Sequence, residues 1–482
     1  MSTSEEPGGY DDALHAAVAG AKRWLARLED RDALAPERGA LEHGHLPEEG
    51  VGDAAALEEL WSLAEDRAAA SPGPRFFHYV VGGATPAALG ADWVSSALDQ
   101  VASSASGSPL AVDLERVTTD WVAELVGLGE GSERFTGVLT SGATAANLVG
   151  LGAARQWWGE RHGVDVGEQG LAGLPGPTVL ASGRVHASVE KALAVLGLGR
   201  RCVERCSSAN DGALDLDAFR SACASLDGTP AIVVATAGCA DAGAFDPLDA
   251  MAEACEAHGH WLHVDGAFGL FAGALPSERR LVVGVERARS VATDAHKWLN
   301  VPYDAGIAYV RERSFAAKTF RQRAAYLPPA REGARRLVPA NLVPESSRRA
   351  RALPLYAALR AWGARGYRAH FERCFALARD LARRVESAPD LELVGRPESV
   401  VVPFRCAPRG FRKRDLDALN QAVAAQVEAE GRVAVGTTRF RSVVCFRPAF
   451  VGGRTREQHV AELVEAVEQA LARAIADGTA TG

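Results

Sequence analysis

The chain has 482 residues, 47% apolar and 24% charged, with a net charge of -8. That balance excludes disorder, collagen and coiled coil for the bulk of the chain, and the length exceeds one ordinary core, so two or three structural units are expected. The acidic surplus gives no reason to expect nucleic acid or an anionic membrane as partner and favours a small molecule.

In chain order, apolar spacing predicts a helix over 11–28, a Pro-, Gly- and charge-rich linker over 30–54, and a second helix over 54–69. An aromatic loop, SPGPRFFHYVVGGATP, follows at 71–86. From about 105 to 312, short apolar runs alternate with helical patterns. Strands are predicted at 137–140, 178–181, 201–204, 231–235, 261–264, 290–292 and 306–310, with helices at 145–158, 189–196, 216–224 and 247–258. Strand, helix, strand at this spacing implies crossover connections and a mostly parallel sheet covered on both faces, an α/β fold. Residues 313–345 have little periodicity and read as a long functional loop. A long helix is predicted over 347–386. The end reads as a small α/β unit, with strands at 391–394, 399–404, 433–437 and 442–446 and helices at 413–429 and 456–474.

Eight cysteines without a CxxC pair argue against a disulfide scaffold and a zinc site, so no metal is expected. The start, MSTSEEPGGYDD, is polar and does not read as a signal peptide. No apolar run reaches the roughly 18 residues of a membrane span. The expected compartment is a reducing cytoplasm.

Only five of the 53 basic residues are lysines. Lys297 lies just past an apolar strand in SVATDAHKWLNVPYDAG, between His296 and Trp298. A desolvated lysine is a usable Schiff-base nucleophile. Asp265 ends the strand WLHVD. At the carboxyl end of a parallel strand it suits a ligand, although Asp before Gly also starts ordinary turns. Acid and lysine together fit pyridoxal phosphate (PLP), which needs a Schiff-base lysine and commonly an acid at its ring nitrogen. In LTSGATAANLVGLGAARQWW, a strand runs through a small-residue turn into a helix. Ser141, Ala143 and Thr144 are placed there to hold a phosphate, or to form a plain N-cap. His186 lies between a strand and a helix. A lone histidine is more often structural, yet a flat imidazole there also suits stacking on an aromatic cofactor.

Taken in order, SGATAAN, HASVEKA, VATAGCADAGAFDPL, HVDGAFGLFAGA, SVATDAHKWLNVPYDAG and PESSRRARALPLYAALRAWG resemble the PLP-dependent group II amino-acid decarboxylases over about residues 60–475. Residues 74–94 and 108–122 resemble the same family. The resemblance implies the aspartate-aminotransferase-like fold (PLP fold type I) and a homodimer. The implied division is an N-terminal helical, dimerising segment at 1–90, a large PLP-binding domain at 91–346 with a mobile loop at about 320–342, and a small domain at 347–482.

It implies roles as well. Lys297 would form the Schiff base and Asp265 would partner the pyridine nitrogen. His186 would stack on one face of the ring and Ala267 pack on the other. Ala143 and Thr144 would bind the phosphate, Thr236 and His296 would line the cofactor site, and Tyr79 would border the substrate pocket. Tyr326, 29 residues past the lysine in AAYLPPAREGARR, resembles the catalytic-loop tyrosine that returns a proton to Cα. Three positions depart from the family: Ala143 for a frequent glycine, Cys239 for a usual threonine, and Asp294 for an asparagine that contacts the phosphate in several members.

The expected reaction is loss of CO₂ from an L-amino acid to give the amine. Aldehyde formation and transamination are the alternatives on the same scaffold. A cofactor-free pseudoenzyme is opposed by Lys297 and Asp265 together. Phe76, Phe77 and Tyr79 lean the substrate towards an aromatic amino acid, while Arg348 and Arg349 would suit an acidic one.

Overall fold

The computed structural model describes residues 9–478, apart from 37–38, 42–43, 130–134 and 324–336. Two amphipathic helices, α1 (Tyr10–Ala26) and α2 (Asp53–Arg67), pack on each other at the start. Next come α3 (Pro86–Leu98) and α4 (Pro109–Val126), each capped by a hydroxyl, Thr85 or Ser108, that accepts a first-turn N–H. Proline at the first helical position pre-sets both starts.

The central unit alternates β1 (Thr136–Thr140), α5 (Ala143–Arg161), α6 (Val166–Gln169), β2 (Val179–Ser182), α7 (Ala187–Val195), β3 (Val203–Cys206), α8 (Leu216–Ser225), β4 (Ile232–Thr236), α9 (Leu248–His258), β5 (Trp261–Asp265), β6 (Ser290–Asp294), α10 (Ala295–Trp298) and β7 (Gly306–Val310). The strands form one sheet in the order β1-β7-β6-β5-β4-β2-β3. Strands β2 to β6 run parallel, and β7 lies antiparallel between β1 and β6. Successive side chains point to opposite faces. On one face Ile232, Val234, Trp261 and Ala292 pack under α5; on the other Val233, Leu262, Val264 and Val291 join the larger core beneath α4, α9 and the long C-terminal helix.

After α11 (Arg313–Phe320) comes α12 (Ala352–Ser387), broken at Gly363, whose φ of 61° is non-helical. Helix α12 packs on α3 and α4. The chain closes with β8 (Leu391–Leu393), β9 (Phe404–Cys406), α13 (Leu416–Glu430), β10 (Thr437–Phe440), β11 (Val443–Phe446) and α14 (Glu457–Ala476). Its four strands form an antiparallel sheet, β10-β11-β9-β8.

Several expectations are corrected. Residues 313–320 are helical rather than loop. The strand expected at 399–404 joins the sheet ladder only from Phe404, while Val401 makes a separate antiparallel bridge to Ala449. The strand expected at 433–437 starts at Thr437. Ala434 instead bridges to Phe76, tying the aromatic loop to the C-terminal unit. Among the described residues, no helix is long and apolar enough to cross a membrane, and no group of three or more metal-ligating side chains gathers.

Candidate active site

A cavity of about 320 Å³ opens at the carboxyl ends of the parallel strands, where open α/β sheets bind ligands. It is lined by Ala143, Thr144, His186, Thr236, Asp265, Ala267, His296 and Lys297, eight of the residues expected from sequence. The sheet explains the convergence. Thr236 ends β4 directly opposite Asp265 at the end of β5, and β6 leads into the turn that carries Lys297.

At one end of the cavity is the start of α5. Gly142 has a φ of 150°, and a Cβ on the neighbouring Gly306 would lie 2.4 Å from its backbone, so two glycines permit the close crossing of β7 and this turn. The first-turn amides of Thr144 and Ala145 have no acceptor within the helix and mark an anion seat. Ala143 differs: its N–H donates to Asp294 Oδ1 at 2.6 Å. Asp294 Oδ2 lies 2.8 Å from Lys297 Nζ, so the lysine ammonium pairs with Asp294, not Asp265.

At the other end, Asp265 is 4% exposed. Its carboxylate accepts from Asn147 Nδ2 at 3.0 Å and from the Ala267 N–H at 3.2 Å. Among the described residues no cation pairs with it. A buried carboxylate without a countercharge is costly, and the open position is a seat for a cation. His186 caps α7: its Nδ1 accepts the Ser188 N–H at 3.2 Å. The His296 ring stacks on Tyr303 at 4.2 Å, and burial holds its pKa below the usual histidine value against the opposing pull of Asp294.

The family model of the pyridoxal-dependent decarboxylase conserved domain matches residues 66–407. The chain belongs to this family. It is a carboxy-lyase, and its cofactor is pyridoxal phosphate. An L-2,4-diaminobutyrate decarboxylase from Acinetobacter baumannii is 28% identical over 494 residues, covering 98% of this chain and 94% of that protein. An aromatic-L-amino-acid decarboxylase from Bacillus atrophaeus is 27% identical over 401 residues, covering 81% and 80%. The crystal structure of Oryza sativa TDC with PLP and tryptamine superposes with a TM-score of 0.90 at 24% identity, covering 98% of this chain and 99% of that one, a likeness of fold.

The cavity fits the decarboxylase cofactor. It offers free helix amides for a phosphate, a lysine for an aldehyde, and an unpaired buried carboxylate for a protonated ring nitrogen.

Other expected residues stand elsewhere. Tyr79 does not line the cavity of the single chain. It is 66% exposed with a φ of 51°, and its neighbour Val80 supplies the lining instead. Tyr326 lies outside the described residues. Cys239 is buried between two lining residues, Gly238 and Ala240, but does not itself line the cavity. Phe77 is buried against Phe450. Arg348 is sealed in an ion pair with Glu115, and Arg349 meets Asp92 at the surface, so neither reaches the cavity. Sequence reading missed Asn147, Arg184, Ser188 and Tyr303. Of these, Asn147 carried a signal, as the lone amide on an otherwise apolar stretch of α5.

Proposed function

We propose that the decarboxylase releases CO₂ from an L-amino acid with an aromatic side chain and gives the amine. The observation that carries this reading is part of the cavity lining. Val80, Phe268 and Tyr303 make it apolar. The arginine on the lining, Arg184, lies 4.6 Å over the Phe440 ring and 3.5 Å from Asp241, so its charge is already met. An acidic side chain finds no free cation there among the described residues.

The bound cofactor supplies an electron sink for the pair left by the Cα–carboxylate bond. Lys297 would hold the cofactor's carbonyl carbon, and its amine would serve as a base near Cα. Asp265 keeps a proton on the ring nitrogen. His186 and Ala267, both on the cavity lining, would hold the cofactor ring and so help orient the scissile bond. Tyr326, which lies outside the described residues, is the residue that would donate the proton to Cα.

A second reading, a diamino acid, is favoured by Asp241, whose half-exposed carboxylate sits beside the cavity and could exchange its 3.5 Å partner Arg184 for a substrate cation. Two copies working as a homodimer are also part of the proposal: Leu14, Leu60 and Leu63 on α1 and α2 are exposed in the single chain and suit burial against a second copy.

A panel of aromatic, acidic and diamino acids, scored for CO₂ and for amine against aldehyde, tests the reading. The highest kcat/KM should belong to an aromatic amino acid with amine as product. A preference for a diamino acid establishes the second reading, and aldehyde as the main product overturns the amine-forming reaction.

A further inference from the structure

Behind Asp265 runs a string of buried side chains that the steps above do not use. Trp261, His263 and Asp265 alternate along β5 and therefore point to the same face, beneath α5. Trp261 Nε1 donates to Ser290 Oγ at 2.9 Å. Ser290 Oγ and His263 Nδ1 are 2.8 Å apart, and His263 Nε2 and Asn147 Oδ1 are 2.9 Å apart. Asn147 Nδ2 completes the string to Asp265 Oδ2. The four residues before Asp265 are fully buried. A Cβ at Gly150 would lie 2.6 Å from the His263 ring, so the glycine on α5 makes room for it.

The two ends of the string and the neutrality of His263 together fix the direction of each link. An indole N–H only donates, and an ionised carboxylate only accepts. Asn147 therefore turns its amide nitrogen towards Asp265 and its oxygen towards His263 Nε2, which must carry a proton; with His263 neutral, Nδ1 carries none and accepts from the Ser290 hydroxyl. Burial keeps His263 neutral by pushing its pKa down to about 4.

There is also a branch. Asn147 Nδ2 donates to Ser188 Oγ at 3.1 Å, and the Ser188 hydroxyl donates to His186 Nδ1 at 2.7 Å. One amide thus uses both hydrogens to tie the carboxylate at the ring nitrogen to the imidazole beside the ring.

The geometry points to Asn147 as a positioning residue which, backed by His263, Ser290 and Trp261, aims the Asp265 carboxylate so that the proton resides on the cofactor's ring nitrogen. A hydrogen bond donated to a carboxylate lowers its affinity for a proton, and donors in series polarise one another. With no cation of the described residues sharing Asp265, the effect falls on the ring nitrogen. The inference rests on the cofactor and not on which amino acid is the substrate.

The test is ¹⁵N NMR of holoenzyme loaded with PLP labelled at the ring nitrogen, with cofactor affinity read by fluorescence. In the native protein the resonance should keep its protonated position across about pH 6 to 9. In Asn147→Leu it should move towards the unprotonated position within that range, with cofactor affinity lowered roughly ten- to hundred-fold. Ser290→Ala removes only the distant hydroxyl and should shift the resonance the same way by less. If Asn147→Leu does not fold, Ser290→Ala decides alone. A native-like resonance in folded Asn147→Leu, or none of the shift in Ser290→Ala, overturns the inference. Native protein that takes up no cofactor would instead count against the cofactor assignment itself.

Discussion

Replacing Arg348 with methionine separates a structural arginine from a substrate-binding one. The guanidinium is 1% exposed and makes four hydrogen bonds. Two go to Glu115, at 2.8 and 3.1 Å; one goes to the Ala102 carbonyl at 2.8 Å and one to the Leu139 carbonyl at 2.6 Å. Glu115 in turn accepts the Leu139 N–H at 2.8 Å. Methionine fills much of the volume but leaves the buried Glu115 charge unmatched. Removing one partner of such a pair costs about 3–5 kcal/mol. That is a large share of a total stability of roughly 5–15 kcal/mol. Urea unfolding of the apo protein, followed by tryptophan fluorescence, measures the loss without a contribution from bound cofactor. Because Leu139 leads through Thr140 into the start of α5, cofactor affinity should fall as well, while KM for the amino acid in the loaded enzyme stays near the native value. A stability within about 1 kcal/mol of native, combined with a raised KM for an acidic amino acid, would refute this reasoning.

Lys297→Ala should abolish turnover and the lysine-linked absorption band while the far-ultraviolet circular dichroism is kept; normal turnover would remove the lysine from its role. Asp265→Asn should fold and slow the reaction by at least about a hundred-fold, since a neutral amide cannot hold the ring nitrogen's charge; native rates would rule out the site described. Acid sensitivity provides a further check. Burial pushes His260 and His263 down to about 4 and His370 to about 3. Depressed folded values give stability that is present above the unfolded value, 6.5, and lost as pH falls from there towards about 4. With three such groups the slope approaches about 4 kcal/mol per pH unit. Urea midpoints that do not change between about pH 7 and 5 would contradict it.

Six strands of the large sheet were legible as short, largely apolar runs bounded by turns, whereas the edge strand β3, which carries Glu204 and Arg205, was expected two residues early. Lys297 and Asp265 were legible too, rare residue types placed at strand ends. Helix α11 was not, since Arg313 and Lys318 mask the few apolar residues, Phe315 and Ala316, that dock it. Arg348 was misread for a different reason. Its partner Glu115 is 233 residues away, and no local pattern tells a sealed pair from a solvated charge. Asn147 escaped notice because its meaning depends on β5 and the start of α7, which meet it only in the folded protein. His263 stands two residues before Asp265 and so shares its face, a spacing that was readable but not used.

Helix α5 also acts as a ruler. Thr144 stands at its anion-binding end, Asn147 one turn on, and Gly150 one turn beyond that. The distance from the phosphate end of the site to the ring-nitrogen end is therefore counted in residues of a single rigid rod, at about 1.5 Å and 100° each. Deleting or inserting one residue between Thr144 and Asn147 would swing the amide by about 100° out of reach of Asp265 while leaving the phosphate seat in place. Side chains elsewhere on this helix are free to vary within the limits of packing, but its count of residues over this stretch is not.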